Sequence, residues 1–109
     1  MKELKFHRDF YNPIITGKKL STTRIKPKDL EVGDTFKFVF VPDDTGCKPL
    51  YGNICNVEVV RFCDLDRGHA MNEGYLHEDL LKHEIMNIYP DIRPVNLVYI
   101  YEFVVENTV

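Results

Sequence analysis

Apolar and polar residues alternate along much of the chain, a pattern typical of half-buried β-strands. Leu4 and Phe6 alternate with polar residues near the start, and a later stretch places three phenylalanines on one face. Four or five strands are predicted from such patterns and from β-branched composition, in the first seven residues and in 21–25, 35–41, 53–62 and 95–105. Turn chemistry at 42–46 predicts an antiparallel hairpin across that loop.

Two helices are predicted from apolar residues at helical spacing. A short one is predicted to begin with Asp9 as its cap and to end at Gly17 in a left-handed conformation. A longer one is predicted from Leu76 to Tyr89, where Pro90 stops it. The polar segment between these helices and strands, 64–74, has room for one further helical turn. The pattern predicts the α+β class, with a mostly antiparallel, partly closed sheet.

Length and composition indicate one globular domain over residues 1–109. No run of about 18 apolar residues is present, so a transmembrane helix is not expected. Cys47, Cys55 and Cys63 match neither a disulfide framework nor a zinc site. Reduced thiols in a cytoplasmic, monomeric protein are expected, with no metal site and no cofactor.

The charge pattern singles out the segment 18–28. It holds five basic residues and no acidic one, whereas the whole chain has a net charge of −3. A cationic strip of this kind favours binding of a phosphate or a developing oxyanion. On composition alone, a solvated lysine-rich loop is the simpler interpretation. The acidic balance argues against a broad nucleic-acid-binding face, but not against one nucleoside in a pocket.

Residues 17–24 fill the pattern G-x-K-x-x-T-x-R, and a Val-Gly-Asp turn follows at 32–34. These segments resemble the signature of the ASCH-domain family. Residues 69–74 resemble the acidic segment of the N(4)-acetylcytidine amidohydrolases, a bacterial subgroup. Leu20 stands where the family usually has threonine. The resemblance covers nearly the whole chain and implies a small PUA-like, mostly antiparallel β-barrel with two or three helices.

The resemblance also implies an activity and a site. The reaction is removal of the acetyl group from N(4)-acetylcytidine, giving cytidine and acetate. By resemblance, Thr22 is the nucleophile, Lys19 the proton acceptor and Glu73 the proton donor to the leaving amine. The implied partner is a small nucleoside substrate, and RNA is an alternative partner. Because ASCH domains are related to RNA-binding barrels, RNA or nucleotide binding without catalysis is the alternative function.

The residues themselves add two further candidates. Thr22 and Arg24 are two positions apart and share a strand face, so Arg24 is a candidate anchor for the substrate or an oxyanion. Lys18 is a second candidate substrate-binding residue. Lys19 cooperates with Thr22 only if the strand begins after Lys19. Because an ordinary lysine is protonated at neutral pH, a lysine base needs burial or nearby positive charge.

Simpler interpretations compete with these roles. Glu73 also fits an acid at the N-terminus of the long helix, where the helix dipole favours it. Tyr89, Tyr99 and Tyr101 fall on apolar periods, so core packing competes with base stacking. Substitutions at the candidate site are expected to change the melting temperature little, because the site is predicted on a turn, a strand and a loop.

Overall fold

A computed structural model describes residues 1–106, which form a mixed sheet with helices against it and confirm the α+β class. In chain order the elements are β1 (Lys2–His7), α1 (Tyr11–Ile15), β2 (Ser21–Arg24), β3 (Thr35–Val41), β4 (Tyr51–Arg61), α2 (Arg67–Asn72), α3 (Glu78–Ile88) and β5 (Leu97–Glu106). Two short 3₁₀ helices lie at Arg8–Phe10 and Phe62–Asp64. No helix in this part of the chain is long and apolar enough to cross a membrane.

The strands lie in the order β1-β3-β4-β5-β2. Strands β1 and β3 are parallel, and the other three pairings are antiparallel, including the predicted hairpin of β3 and β4. The expected closure into a barrel is not observed, because β1 and β2 lie at opposite ends of this order and no ladder joins them within residues 1–106. Side chains of both edge strands line a cleft instead.

Two apolar clusters hold the helices to the sheet. The first contains Phe36, Phe38 and Phe40, whose burial confirms the alternation in β3. The second lies under α3, where Leu81 and Ile85 are buried against β5. Full burial of each large apolar side chain contributes about 1.5–3 kcal/mol. This packing fixes α3 beside β2 and β5 and forms one wall of the cleft.

The first helix begins later than predicted. Asp9 does not cap it; instead the backbone N–H of Asp9 donates to Nδ1 of His7 at 3.1 Å, and this bond starts the 3₁₀ helix at Arg8–Phe10. The α-helical bonds begin only at Tyr11. The predicted end is confirmed, since Gly17 has a φ of +77°, in the left-handed region that favours glycine.

Candidate active site

The turn between α1 and β2 positions Lys19. The backbone N–H groups of Lys18 and Lys19 both donate to the carbonyl of Pro13, at 2.9 and 3.0 Å. The next N–H, that of Leu20, donates to the carbonyl of Asn72 at 2.6 Å. Strand β2 begins at Ser21, so Lys19 lies in the turn, as its cooperation with Thr22 requires. These bonds tie the Lys19 segment to both α1 and the end of α2.

Glu73 lies at the C-terminal end of α2, where it is the C-cap residue. The interpretation of Glu73 as an acid at the N-terminus of the long helix is therefore wrong. The reason is that the polar segment forms a helix of its own, started by a capping box between Asp66 and His69. Its end brings Glu73 back to the Lys19 turn, 54 residues earlier in the chain.

Lys19 and Glu73 form a buried ion pair. Nζ of Lys19 lies 3.0 Å from Oε1 of Glu73, and the two side chains are only 4% and 6% exposed. The second carboxylate oxygen, Oε2, accepts a hydrogen bond of 2.6 Å from Oγ1 of Thr23. Nζ of Lys19 also lies 4.8 Å from the centre of the Phe10 ring. The charged groups are thus shielded from water and held by polar partners.

Thr22 lies beside Arg24, which confirms their predicted shared face. Nε of Arg24 donates to Oγ1 of Thr22 at 3.2 Å, and Nη2 donates to the carbonyl of Lys5 at 2.6 Å. The guanidinium carbon lies 5.0 Å from the centre of the Phe6 ring. Burial lowers the pKa of the Arg24 guanidinium from its usual value. An arginine remains charged at neutral pH all the same, so the cleft keeps a fixed positive group.

These groups line one cleft of about 260 Å³. Lys19, Thr22, Arg24 and Glu73 all contribute to its surface, together with Thr23. Apolar walls complete it from the 3₁₀ helix, from β1 and from α3, through Phe6, Phe10, Leu81, Ile85 and Ile88. The structure therefore brings together four of the five predicted site residues. The fifth, Lys18, is exposed and does not line this cleft.

Thr23 and Tyr75 belong to the cleft but were not predicted from the sequence. Burial raises the pKa of the Tyr75 phenol to about 12, and the carboxylates of Glu84 and Glu73 add to this rise. The phenol therefore stays protonated at neutral pH and is available as a donor. The adjacent hydroxyls of residues 21–23 were a signal for Thr23, whereas nothing in the sequence pattern marked Tyr75.

Burial contradicts the premise of one expectation, that site substitutions change the melting temperature little because the site lies outside the core. Counted over whole residues, Lys19 is 4%, Thr22 5% and Glu73 8% exposed, so the site is part of the interior.

The described residues contain no group of three His, Cys, Asp or Glu side chains placed to hold a metal ion. The chemistry available here is that of a lysine, a carboxylate and hydroxyls.

A second cleft, of about 640 Å³, adjoins the first and shares Ile88 and Tyr89 with it. Tyr89 and Tyr99 are half-buried and line this second cleft, so both remain candidates for stacking. Tyr101 is different, because it is 2% exposed and packs in the first apolar cluster. Its hydroxyl accepts a hydrogen bond of 2.8 Å from the N–H of Lys28. The core interpretation is therefore confirmed for Tyr101.

Gly74→Ala is expected to destabilise the protein by more than about 1–2 kcal/mol, the cost of a left-handed residue with a Cβ, because a close contact adds to that cost. Gly74 has a φ of +93°, and a Cβ there would lie 3.2 Å from the carbonyl oxygen of Lys18. Gly46→Ala is the matched control, because its φ is +79° but no atom lies within 4 Å. Urea unfolding should show the larger loss for Gly74→Ala. Equal losses would mean that the contact with Lys18 contributes nothing.

Comparison with known proteins assigns the fold. No protein-family model and no curated protein matches this sequence. Among solved structures, an ASCH domain from Lactobacillus crispatus superposes with a TM-score of 0.77 at 13% identity, covering 95% of this chain and 79% of that one. The chain has the ASCH-domain fold. An ASCH protein from Zymomonas mobilis gives a TM-score of 0.67 at 10% identity, covering 94% and 66% of the two chains.

A third solved structure is similar as well. A protein from Enterococcus faecalis, described by the family model DUF984, gives a TM-score of 0.68 at 18% identity, and the match covers 90% of this chain and 67% of that one. These identities are low, so the likeness concerns the arrangement of the backbone. A fold by itself does not determine an activity. The function has to be argued from the cleft.

Proposed function

We propose that this ASCH-fold protein is a small amidohydrolase that deacetylates N(4)-acetylcytidine to cytidine and acetate. The observation that supports it most is the buried pair of Lys19 and Glu73 in a cleft that Thr22 also lines. A buried ion pair is weak evidence of a stabilising role, because desolvation of two charges offsets their attraction. Ionisable groups held in this way in a cleft are typical of catalytic sites.

The pair can supply the base and the acid of the reaction together. Transfer of one proton from Nζ of Lys19 to Glu73 across 3.0 Å converts the ion pair into a neutral amine and a neutral carboxylic acid. The amine then has a free electron pair to accept a proton, and the acid has a proton to donate.

Acylation would use both groups in one step. The Lys19 amine takes the hydroxyl proton of Thr22, whose oxygen attacks the acetyl carbon. Glu73 gives its proton to the exocyclic nitrogen as the carbon–nitrogen bond breaks, and cytidine leaves. The products on the enzyme are an acetyl ester of Thr22, a Lys19 ammonium and a Glu73 carboxylate.

Deacylation reverses the proton transfers with water in place of the amine. The Glu73 carboxylate takes a proton from water, whose oxygen attacks the ester carbon. The Lys19 ammonium returns a proton to the Thr22 oxygen, and acetic acid leaves the cleft and loses its proton to the solvent, giving acetate. The neutral pair is restored, so the cycle needs no cofactor. Arg24, fixed beside Thr22 at 3.2 Å, is the proposed anchor for the carbonyl oxygen as negative charge develops on it.

The cleft fits an acylated nucleobase better than a highly charged substrate. Its walls are largely apolar and aromatic, which suits a planar heterocycle. Its volume of about 260 Å³ is enough for a nucleobase with a small acyl group. The adjoining cleft at Tyr89 offers room for the sugar. Lys18 is exposed, so we propose that it contacts only those parts of a substrate that extend out of the cleft.

The direct test is incubation of the purified protein with N(4)-acetylcytidine, followed by chromatography for cytidine and an enzymatic assay for acetate. Stoichiometric formation of both products is expected. N(4)-methylcytidine is the matched control, because its exocyclic nitrogen carries no acyl group to be cleaved, and it should remain unchanged. Absence of both products from N(4)-acetylcytidine, with a folded protein, would contradict the proposed activity.

Binding of RNA without catalysis is the second candidate, supported by the exposed lysines 18, 26 and 28. Few phosphate contacts are available on this strip, so binding is expected to be weak and to fall steeply with salt. A filter-binding titration from low to physiological salt measures this. Tight binding of a structured RNA at physiological salt, without deacetylation, would favour this function over the amidohydrolase.

A further inference from the structure

We infer that Thr23 is a positioning residue that holds Glu73 in its catalytic orientation; this inference depends on the proposed function. The hydroxyl of Thr23 donates to Oε2 of Glu73 at 2.6 Å, while Oε1 faces Lys19 at 3.0 Å. Each carboxylate oxygen thus has one fixed partner. With both oxygens bound, the carboxylate plane cannot rotate without breaking a buried hydrogen bond.

The two consecutive threonines of β2 have different hydrogen-bonding roles. Both threonines line the cleft, but Thr22 bonds with Arg24 whereas Thr23 bonds with Glu73. Oγ1 of Thr22 accepts a hydrogen bond, which leaves its own proton free for transfer to a base. Oγ1 of Thr23 donates its proton to the carboxylate. Thr22 is therefore suited to be the nucleophile, and Thr23 is suited to orient the acid.

This arrangement couples the acid to the nucleophile through the backbone of one short strand. Thr22 and Thr23 are paired with Tyr101 and Ile100 of β5, two residues that are each 2% exposed. A rigid neighbour thus fixes both hydroxyls relative to each other. Loss of the Thr23 hydroxyl should misplace the Glu73 carboxyl by a fraction of an ångström to an ångström, which is enough to impair proton donation.

Kinetics of Thr23→Val and Thr23→Ser test the inference. Valine keeps the shape and removes the donor, so kcat for N(4)-acetylcytidine is expected to fall by about 100-fold, with KM within about twofold of the original value. Serine keeps the donor and should restore kcat to within a few-fold. Equal loss in both variants, or an unchanged kcat in Thr23→Val, would overturn the positioning role.

Two measurements are independent of the substrate. Carbon-13 NMR should show a changed chemical shift of the Glu73 carboxyl in Thr23→Val and an unchanged one in Thr23→Ser. In the original protein, the Thr23 hydroxyl proton should exchange slowly with water, because it is held in a hydrogen bond of 2.6 Å to a buried carboxylate. If no acylated nucleoside is hydrolysed, the proposed function fails, and these spectra still decide whether Thr23 fixes Glu73.

Mass spectrometry of the acyl-enzyme separates positioning from nucleophilic attack. After rapid quenching, the acetyl group is expected on Thr22. An acetyl group on Thr23 would overturn the inference, because Glu73 would then be the base for a Thr23 nucleophile. A hydroxyl proton of Thr23 that exchanges at the rate of an exposed threonine would overturn it as well.

Discussion

Thr22→Ala is expected to reduce deacetylation of N(4)-acetylcytidine by at least about 1,000-fold, to a rate near that without enzyme. The substitution removes the oxygen that forms the acyl bond in the proposed mechanism. It also leaves Nε of Arg24 without its 3.2 Å acceptor. Thr22→Ser is the matched control, because it retains a hydroxyl on the same backbone, and it should keep measurable activity. Steady-state acetate release measures both.

Lys19→Arg distinguishes a base from a fixed positive charge. Arginine keeps the charge opposite Glu73 but is not deprotonated at any working pH, so saturating substrate should give turnover near background. Arg24→Ala should lower the rate less, since Arg24 is proposed only as an anchor. Near-normal turnover of Lys19→Arg would exclude Lys19 as the proton acceptor, even if the substrate is correct.

Removal of one partner of the Lys19–Glu73 pair is expected to destabilise the protein by about 3–5 kcal/mol, because the other charge stays buried without its counter-ion. The pair lies at 3.0 Å, with side chains 4% and 6% exposed, so solvent screening is small. Lys19→Met leaves the carboxylate, and Glu73→Gln leaves the ammonium. Urea unfolding monitored by circular dichroism gives the change in free energy for each.

The double variant Lys19→Met/Glu73→Leu is the control for the stability of the two single variants. It removes both charges and should be more stable than either single variant, since no ion then remains buried. Additive losses in the double variant would show that the two side chains act independently. Changes below about 1 kcal/mol in the single variants would mean that water reaches the pair, as it does for a surface salt bridge.

The positions of the strands could be predicted from the sequence, but whether the sheet closes into a barrel could not. Alternation placed Phe36, Phe38 and Phe40 on one buried face, because a period of two is a property of neighbouring residues. Whether β1 meets β2 depends instead on the twist and spacing of all five strands, which no local pattern records. The start of the first helix was also missed, because His7 forms the bond that Asp9 was expected to make.

Only part of the candidate site could be predicted from the sequence, because some of its residues are far apart along the chain. Thr22 and Arg24 were placed together by strand period, and their contact follows. The partnership of Lys19 with Glu73 spans 54 residues and was suggested only by the resemblance to ASCH domains. The burial of both was not predicted, since lysine and glutamate are among the residues most often exposed.

The contact between Arg24 and Lys5 has a mechanical consequence for the cleft. Strands β1 and β2 both contribute residues to it, and within residues 1–106 no ladder hydrogen bond runs between them. The bond from Nη2 of Arg24 to the Lys5 carbonyl, at 2.6 Å, bridges them. Separation of β1 from β2 therefore disrupts contacts of the Arg24 side chain with Lys5 and Phe6 but no sheet hydrogen bond, so the cleft can widen to admit a substrate while the sheet stays intact.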